Sequence, residues 1–283
     1  MSKIIVIGSG FSGLSAASYL SAAGHEVHIY EKNPQPGGRA RQLKDSGYVF
    51  DMGPSWYWMP DVFEKFFSDF GYKVSDFYQL KLLNPSFDIV FPQYEIMRVP
   101  ENYAELSRMV ESIEKGSSLQ LDRFMNEAQF RYDTGMGSLV YKPGLSLMEF
   151  ADLDLIKGTF RLQVFSSFRK HVRKFFSDPR LIALMEFPVL FLGAMPQDTP
   201  ALYSLMNYAG LKLGTWYPDG GFGKVIDGFL EVAKRNGTKI HFNSPVDRII
   251  VENNRASGIM ANGNRIDCDA IIASADYHHV KSK

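Results

Sequence analysis

At 283 residues the chain is long enough to bury a sizeable core and to divide into two domains. Its 31 basic and 31 acidic residues cancel, which excludes a global field drawing it to nucleic acid. A single cysteine, Cys268, excludes an internal disulfide, suits a reducing compartment and reads as structural.

The first stretch, IIVIGSGFSGLSAASYLSAAG over 4–24, is apolar or small throughout and in that respect resembles a secretory signal. Three spaced glycines and the β-type run that follows argue against export, and no other window holds the ~18 apolar residues of a membrane span. Lys3–Ile7 is a β-branched run suited to a buried parallel strand. Gly8-Ser9-Gly10-Phe11-Ser12-Gly13 follows, then a small-residue helix over Leu14–Ala23 that stops at Gly24, then the alternating strand HEVHIY closed by Glu31. This is strand, GxGxxG, helix, strand, acid. Gly8 allows the tight turn, Gly10 lets backbone approach a pyrophosphate, and Gly13 lets helix pack on strand. The helix amino end offers N–H groups and partial positive charge to phosphate, and Glu31 can accept both ribose hydroxyls. The pattern predicts dinucleotide binding and leaves open which dinucleotide.

Next comes EKNPQPGGRARQLKDSGYVFDMGPSWYWMPDVF. Gly37 and Gly38 allow a second close backbone approach, and Arg39 adds a permanent forked charge for phosphate or an acidic neighbour. Trp56, Tyr57 and Trp58 follow the Gly53-Pro54 step, and three readings compete for them: a packed core corner, a membrane-interface anchor, or the wall of a site for a large apolar ligand. Residues 76–219 change character. FDIVFPQYEIMRV reads as a two-stranded ribbon bent at Pro92-Gln93, with helices over 101–115 and 117–134. In LIKGTFRLQVFSSFRKHVRKFF (155–176), Phe165, Phe168, Val172 and Phe175 form a stripe beside Arg169, Lys170, Arg173 and Lys174. Such a helix either binds a membrane interface or faces the core. Glu149 is an acid inside an apolar run, open to a proton-transfer role or a solvent-facing one. In the tail, WYPDGGFGK precedes a helix over Val225–Arg235. Short strands follow at Val246–Val251, Ala256–Met260 and Arg265–Cys268, and 270–274 reads as a buried strand rejoining the parallel sheet. His278-His279 reads as part of a local turn. No Ser/His/Asp set, metal cluster or paired carboxylate stands out.

The series GxGxxG–Glu–PGGR–FDxGPS resembles the two-dinucleotide-domain flavoproteins, which include amine oxidases and carotene desaturases. The resemblance is greater to bacterial-type phytoene desaturases, and it runs through FFSDPRLIALMEFPVLFLGAMPQDTPALYSLMNYA and the tail to His279-Val280. It implies an α/β fold: an FAD/NAD(P)-binding Rossmann-like domain with a parallel sheet (1–75 and 220–283) and an inserted α+β substrate and membrane domain (76–219). It implies FAD, with Gly8, Gly10, Phe11, Ser12 and Gly13 along the pyrophosphate and Glu31 and Lys32 at the adenosine ribose. Gly38, Arg39 and Ala40 would flank the diphosphate and ribityl chain, Gly53, Pro54 and Ser55 would approach the isoalloxazine, and Val246 would reach the adenine. It further implies phytoene desaturation by hydride transfer, with a hydrophobic polyene substrate and no nucleic acid. Reoxidation would be by oxygen or quinone, in a cytoplasmic protein on a peripheral membrane surface. On this reading Trp56, Tyr57 and Trp58 line the substrate tunnel, and Glu149 takes or relays the proton. Family members are much longer, so the resemblance also implies a chain cut short at its C-terminal side. Amine oxidation, polyene saturation and non-enzymatic escort of prenylated GTPases are the alternatives on the same fold.

Overall fold

The computed structural model describes residues 1–92, 95–141 and 166–281. The chain opens with β1 (Lys3–Ile7), α1 (Phe11–Ala22), β2 (Glu26–Tyr30), the hairpin β3 (Gln42–Asp45) and β4 (Tyr48–Asp51), α2 (Pro60–Asp69) and β5 (Leu80–Leu82). The middle holds β6 (Phe87–Val90), β7 (Ile96–Val99), α3 (Tyr103–Ile113), α4 (Ser117–Thr134), α5 (Phe168–Val172), α6 (Pro179–Glu186) and α7 (Leu205–Leu211). The last part holds β8 (Trp216–Pro218), α8 (Phe222–Arg235), β9 (Lys239–His241), β10 (Val246–Glu252), β11 (Arg255–Ala261), β12 (Asn264–Asp267), β13 (Ala270–Ala273) and α9 (Tyr277–Lys281). Two compact units result: Met1–Lys81 with Tyr217–Lys283, and Leu82–Trp216.

In the first unit a parallel sheet runs in the order β13-β1-β2-β9. β1 has a parallel neighbour on each side, so Ile4, Ile5 and Val6 are all buried, as a continuous apolar run requires. α1 starts at Phe11 rather than at the expected Leu14, because it is capped directly by the glycine turn at Gly10. Its buried face carries Gly13, Ala17 and Ser21, and the Phe11 ring meets Phe229 of α8 edge-on at 5.2 Å. The strands β10, β11 and β12 form an antiparallel meander. Its two turns, Asn253-Asn254 and Asn262-Gly263, hold all four residues at positive φ, the geometry that matches strand twist in a two-residue hairpin. Ile259 and Ala261 pack with Ile5 and Tyr30, and Val246 and Cys268 lie against that cluster. Burial raises the Cys268 thiol above its ordinary pKa, in keeping with a structural role.

In the second unit β6 and β7 form the ribbon, Phe87 opposite Val99 and Val90 opposite Ile96. Asn102 caps α3 by accepting the Ala104 and Glu105 N–H groups. Of the stripe Phe165, Phe168, Val172 and Phe175, Phe168 and Val172 are fully buried and Phe175 half-buried, which corrects the membrane-facing reading: where described, this face turns to the core. Phe165 and Glu149 lie outside the described residues. His171, on the same face, accepts from the buried Arg131 guanidinium at 2.9 Å, and Arg131 also donates to Ser204 and Glu127. No described helix is long and apolar enough to cross a membrane.

Candidate functional site

The carboxyl ends of β1 and β13 lie where the sheet order reverses, the place where open α/β sheets bind ligands. Gly8 turns there at φ 97°, its N–H bonded to the Tyr30 carbonyl at 2.8 Å. A Cβ on Gly13 would stand 2.1 Å from the Gly8 carbonyl oxygen, so its glycine is demanded by helix–strand packing. Gly10 is different. Its φ of −75° suits any residue, and a Cβ there would meet nothing nearer than the Gly38 Cα at 3.9 Å. The fold itself does not require glycine at 10, whereas a ligand pressed against that backbone does. α1 has no side-chain cap at this end, and its first helical bond is Leu14 N–H to the Gly10 carbonyl, at 2.9 Å. The preceding amides stand at the positive end of the helix.

Glu31, at the end of β2, is 4% exposed and held by four donors. One oxygen accepts the Ser9 N–H at 2.9 Å and the Ser9 hydroxyl at 2.8 Å. The other accepts the Asn33 N–H at 2.9 Å and the Asn33 side-chain amide at 2.7 Å. The carboxylate therefore braces the glycine turn from behind. Lys32 beside it is exposed. Ser9 and Asn33 escaped sequence reasoning, as did Ser274, whose hydroxyl lies 2.5 Å from that of Ser12. The available signal for Ser274 was its place as the polar residue ending the apolar run of β13.

The second glycine motif lies on the first. Gly37, at φ 112°, donates to the Ser9 carbonyl at 2.8 Å, and a Cβ on Gly38 would stand 3.3 Å from the Gly10 Cα. The Arg39 side chain is exposed and Ala40 is buried. The Arg39 carbonyl lies against Gly53, where a Cβ would stand 2.1 Å from its oxygen. Residues 8–13, 38–40 and 53–55 thus make one row of touching backbone, with Gly53, Pro54 and Ser55 exposed at its end. Val246 sits to one side, half-buried against the Tyr30 cluster.

Of the aromatic corner, Trp56 and Trp58 are half-buried with ring centres 5.7 Å apart. Tyr57 does not share their position, which corrects its assignment to a tunnel wall. It is 1% exposed, stacks on Phe63 at 4.4 Å and shares a 2.9 Å hydroxyl contact with Tyr78. Burial, then the Tyr78 neighbour, raises its phenol far above the ordinary range. The alternation of the chain at this turn sends the middle ring inward.

A cleft of about 450 Å³ opens beside the hairpin, lined among others by Gln42, Lys44, Asp51, Tyr217, Gly221 and Lys224. The Tyr217 hydroxyl donates to Asp51 at 2.8 Å, and burial, followed by that carboxylate, pushes its pKa up to about 12. Among the described residues no cluster of three or more metal-ligating side chains occurs. Exposed backbone at a helix amino end, a glycine unexplained by the fold and a fixed carboxylate behind the turn fit a dinucleotide rather than a metal.

Comparison with known proteins agrees. The family described as flavin containing amine oxidoreductase matches residues 11–283. A carotenoid 3,4-desaturase of Haloarcula japonica is 36% identical over 98% of this chain and 56% of its own length. A zeta-carotene-forming phytoene desaturase of Myxococcus xanthus is 29% identical over 99% of this chain and 54% of its own. The chain thus spans about half the length of these relatives. A putrescine oxidase structure with bound putrescine superimposes with a TM-score of 0.64 at 18% identity, over 99% of this chain and 60% of that one, a likeness of fold alone.

Proposed function

Because the chain belongs to the flavin containing amine oxidoreductase family, its dinucleotide is FAD, and we propose that it serves FAD-dependent desaturation of a carotenoid, carrying phytoene toward lycopene. The observation that supports the cofactor half of this reading is Gly10, where a Cβ would meet no crowding from the fold but would meet a ligand pressed on the turn. The substrate half is supported by the relatives, which are themselves named as carotenoid desaturases.

In this reading the amides of Gly10–Gly13 hold the diphosphate and Lys32 faces the adenosine ribose; Glu31, expected at the ribose hydroxyls, has its acceptor positions taken by Ser9 and Asn33 and acts through the turn it braces. Gly38, Arg39 and Ala40 follow the diphosphate and ribityl chain, Gly53, Pro54 and Ser55 approach the ring system, and Val246 borders the adenine. Bound FAD supplies the hydride acceptor, and oxygen or a quinone restores it. The protein orients the polyene and keeps water out, with Trp56 and Trp58 along its path and Glu149 as proton carrier.

A long polyene resides in lipid, so a cytoplasmic membrane surface is the proposed partner. In the second unit Leu190, Phe191 and Leu192, at the end of a 3-10 turn, and Met195 in the loop after it are exposed. The Arg169 N–H bonds the Pro196 carbonyl at 2.9 Å, which places that loop beside α5, where Lys170 and Lys174 are exposed. Apolar residues rimmed by lysines have the physics of an interfacial contact, and this loop replaces the buried stripe in that role.

The test supplies phytoene in liposomes, FAD and the protein, and records the absorption spectrum. Red-shifted bands of lengthened conjugation are expected. Turnover of a diamine with no change in phytoene would overturn the substrate assignment while leaving the cofactor intact.

A further inference from the structure

Asp51 has no part in the scheme above, yet its carboxylate joins three segments. It ends β4, two residues before Gly53. One oxygen accepts the Gln42 side-chain amide at 2.9 Å and the Phe222 N–H at 3.1 Å; the other accepts the Tyr217 hydroxyl at 2.8 Å. Phe222 is the first residue of α8, so the charge also meets the positive end of that helix.

The approach is tight. A Cβ on Gly221 would stand 2.7 Å from the Gln42 amide nitrogen, and one on Gly223 would stand 2.4 Å from the Gln42 amide oxygen. The glycines of DGGFG therefore admit the hairpin to the end of α8. Besides the clamp, the Gln35 side-chain amide donates to the Gln42 carbonyl at 2.8 Å, which ties β3 but not β4. Tyr48, Val49 and Phe50 are 69%, 55% and 53% exposed, and an isolated two-stranded hairpin is marginal in water. The position of β4 thus depends on the polar clamp at Asp51. Beyond it, Met52 N–H bonds the Arg41 carbonyl at 3.1 Å, Gly53 lies on Arg39, and the neighbouring Gly38 lies on Gly10.

We infer that Asp51 is a positioning residue for the flavin: through Gln42, Tyr217 and Phe222 it fixes the height of the Gly53-Pro54-Ser55 turn over the Gly-Gly-Arg turn. This rests on the FAD reading of the same site.

Geometry and charge are separable here. Asp51→Asn can keep all three bonds, its oxygen accepting from Gln42 and Phe222 and its amide donating to the Tyr217 oxygen. Asp51→Ala keeps none. The full chain is titrated with FAD by flavin fluorescence, the visible bands of bound FAD are recorded, and the thermal midpoint of the FAD-free protein is measured alongside. Asp51→Ala is expected to weaken FAD binding by about tenfold or more and to alter the band structure of what remains bound, while Asp51→Asn stays within about threefold of wild type. Wild-type affinity and spectrum in Asp51→Ala would overturn the inference. So would equal damage in Asp51→Asn, which would make charge, not position, the operative property. A wild-type chain that takes up no FAD would fail the cofactor reading itself, and a wild type that binds beside an unaffected Asp51→Ala fails this inference alone.

Discussion

Replacing Gly10 and Gly13 by alanine, one at a time, separates a glycine held for a ligand from a glycine held for the fold. At Gly13 the added methyl would lie 2.1 Å from the Gly8 carbonyl oxygen, more than 1 Å inside ordinary contact, and both partners are backbone. α1 must move off β1, an overpacking cost of about 1–3 kcal/mol or more. At Gly10 the nearest atom to the methyl is 3.9 Å away and φ is −75°, so nothing strains. Alanine gains about 0.4–1 kcal/mol by restricting the unfolded chain and loses a comparable amount, about 0.5–1 kcal/mol, as a poorer N-cap. The sum leaves stability within about 0.5 kcal/mol of wild type, roughly 2 °C in the unfolding midpoint. If the diphosphate lies on Gly10 as proposed, the same methyl stands in its path and removes one or two charge-assisted contacts, so FAD binding should fall by about 10- to 100-fold. Circular dichroism melts of the FAD-free proteins and fluorescence titrations with FAD read both effects. The reasoning is refuted if Gly10→Ala melts as early as Gly13→Ala, or if it binds FAD as tightly as wild type.

Glu31→Gln places an amide nitrogen against either both Ser9 donors or both Asn33 donors, orphaning N–H and O–H groups at about 1–3 kcal/mol each, so its FAD-free melt should fall by several degrees. An unchanged melt would mean that the carboxylate does not brace the turn. His171 is buried beside Arg131 and its pKa is lowered to about 3, burial being the larger cause, so the folded state holds it neutral while the unfolded chain titrates near 6.5. Its contribution, on the order of 3–5 kcal/mol, is full above pH ~6.5 and is lost as pH falls toward 3. Melts across that range should show the loss, and His171→Gln should flatten it. Changing Leu190, Phe191 and Leu192 together to serine should abolish flotation with anionic vesicles while leaving FAD binding at wild-type level, and Lys170→Glu with Lys174→Glu should do so at low salt.

The parts of the fold that could be read from the sequence are those whose cause is local. The strand, glycine turn, helix and acid of 3–31 each carry their own signal within one supersecondary unit, and the tail strands are bounded by Asn253-Asn254 and Asn262-Gly263. The remainder turned on partners far along the chain. Phe222 begins α8 three residues before the expected start because its N–H is taken by Asp51, 171 residues away. Ser274 meets Ser12 across 262 residues. Phe168 and Val172 share one helical stripe, but periodicity names a stripe and not the surface that covers it. Tyr57 lay in an aromatic run too short to have a period, so nothing local distinguished it from Trp56 and Trp58.

Glu31 and Asp51 solve one physical problem in the same way. Backbone that must present amides to a ligand cannot be held by covering it with apolar side chains, because the cover would fill the space the ligand needs. It must be held from behind, by groups that bind backbone strongly in few atoms. A carboxylate does this, since each oxygen takes two donors and the charge strengthens every bond. Glu31 takes the Ser9 and Asn33 N–H groups behind the first turn, and Asp51 takes the Phe222 N–H behind the third. Among the described residues the Gly-Gly-Arg turn between them has no carboxylate brace; the Gly37 N–H donates to the Ser9 carbonyl, the Arg41 guanidinium donates to the Gly38 carbonyl, and Gly38 lies on Gly10 and Arg39 on Gly53. Loosening either carboxylate should therefore disturb the middle turn as well as its own.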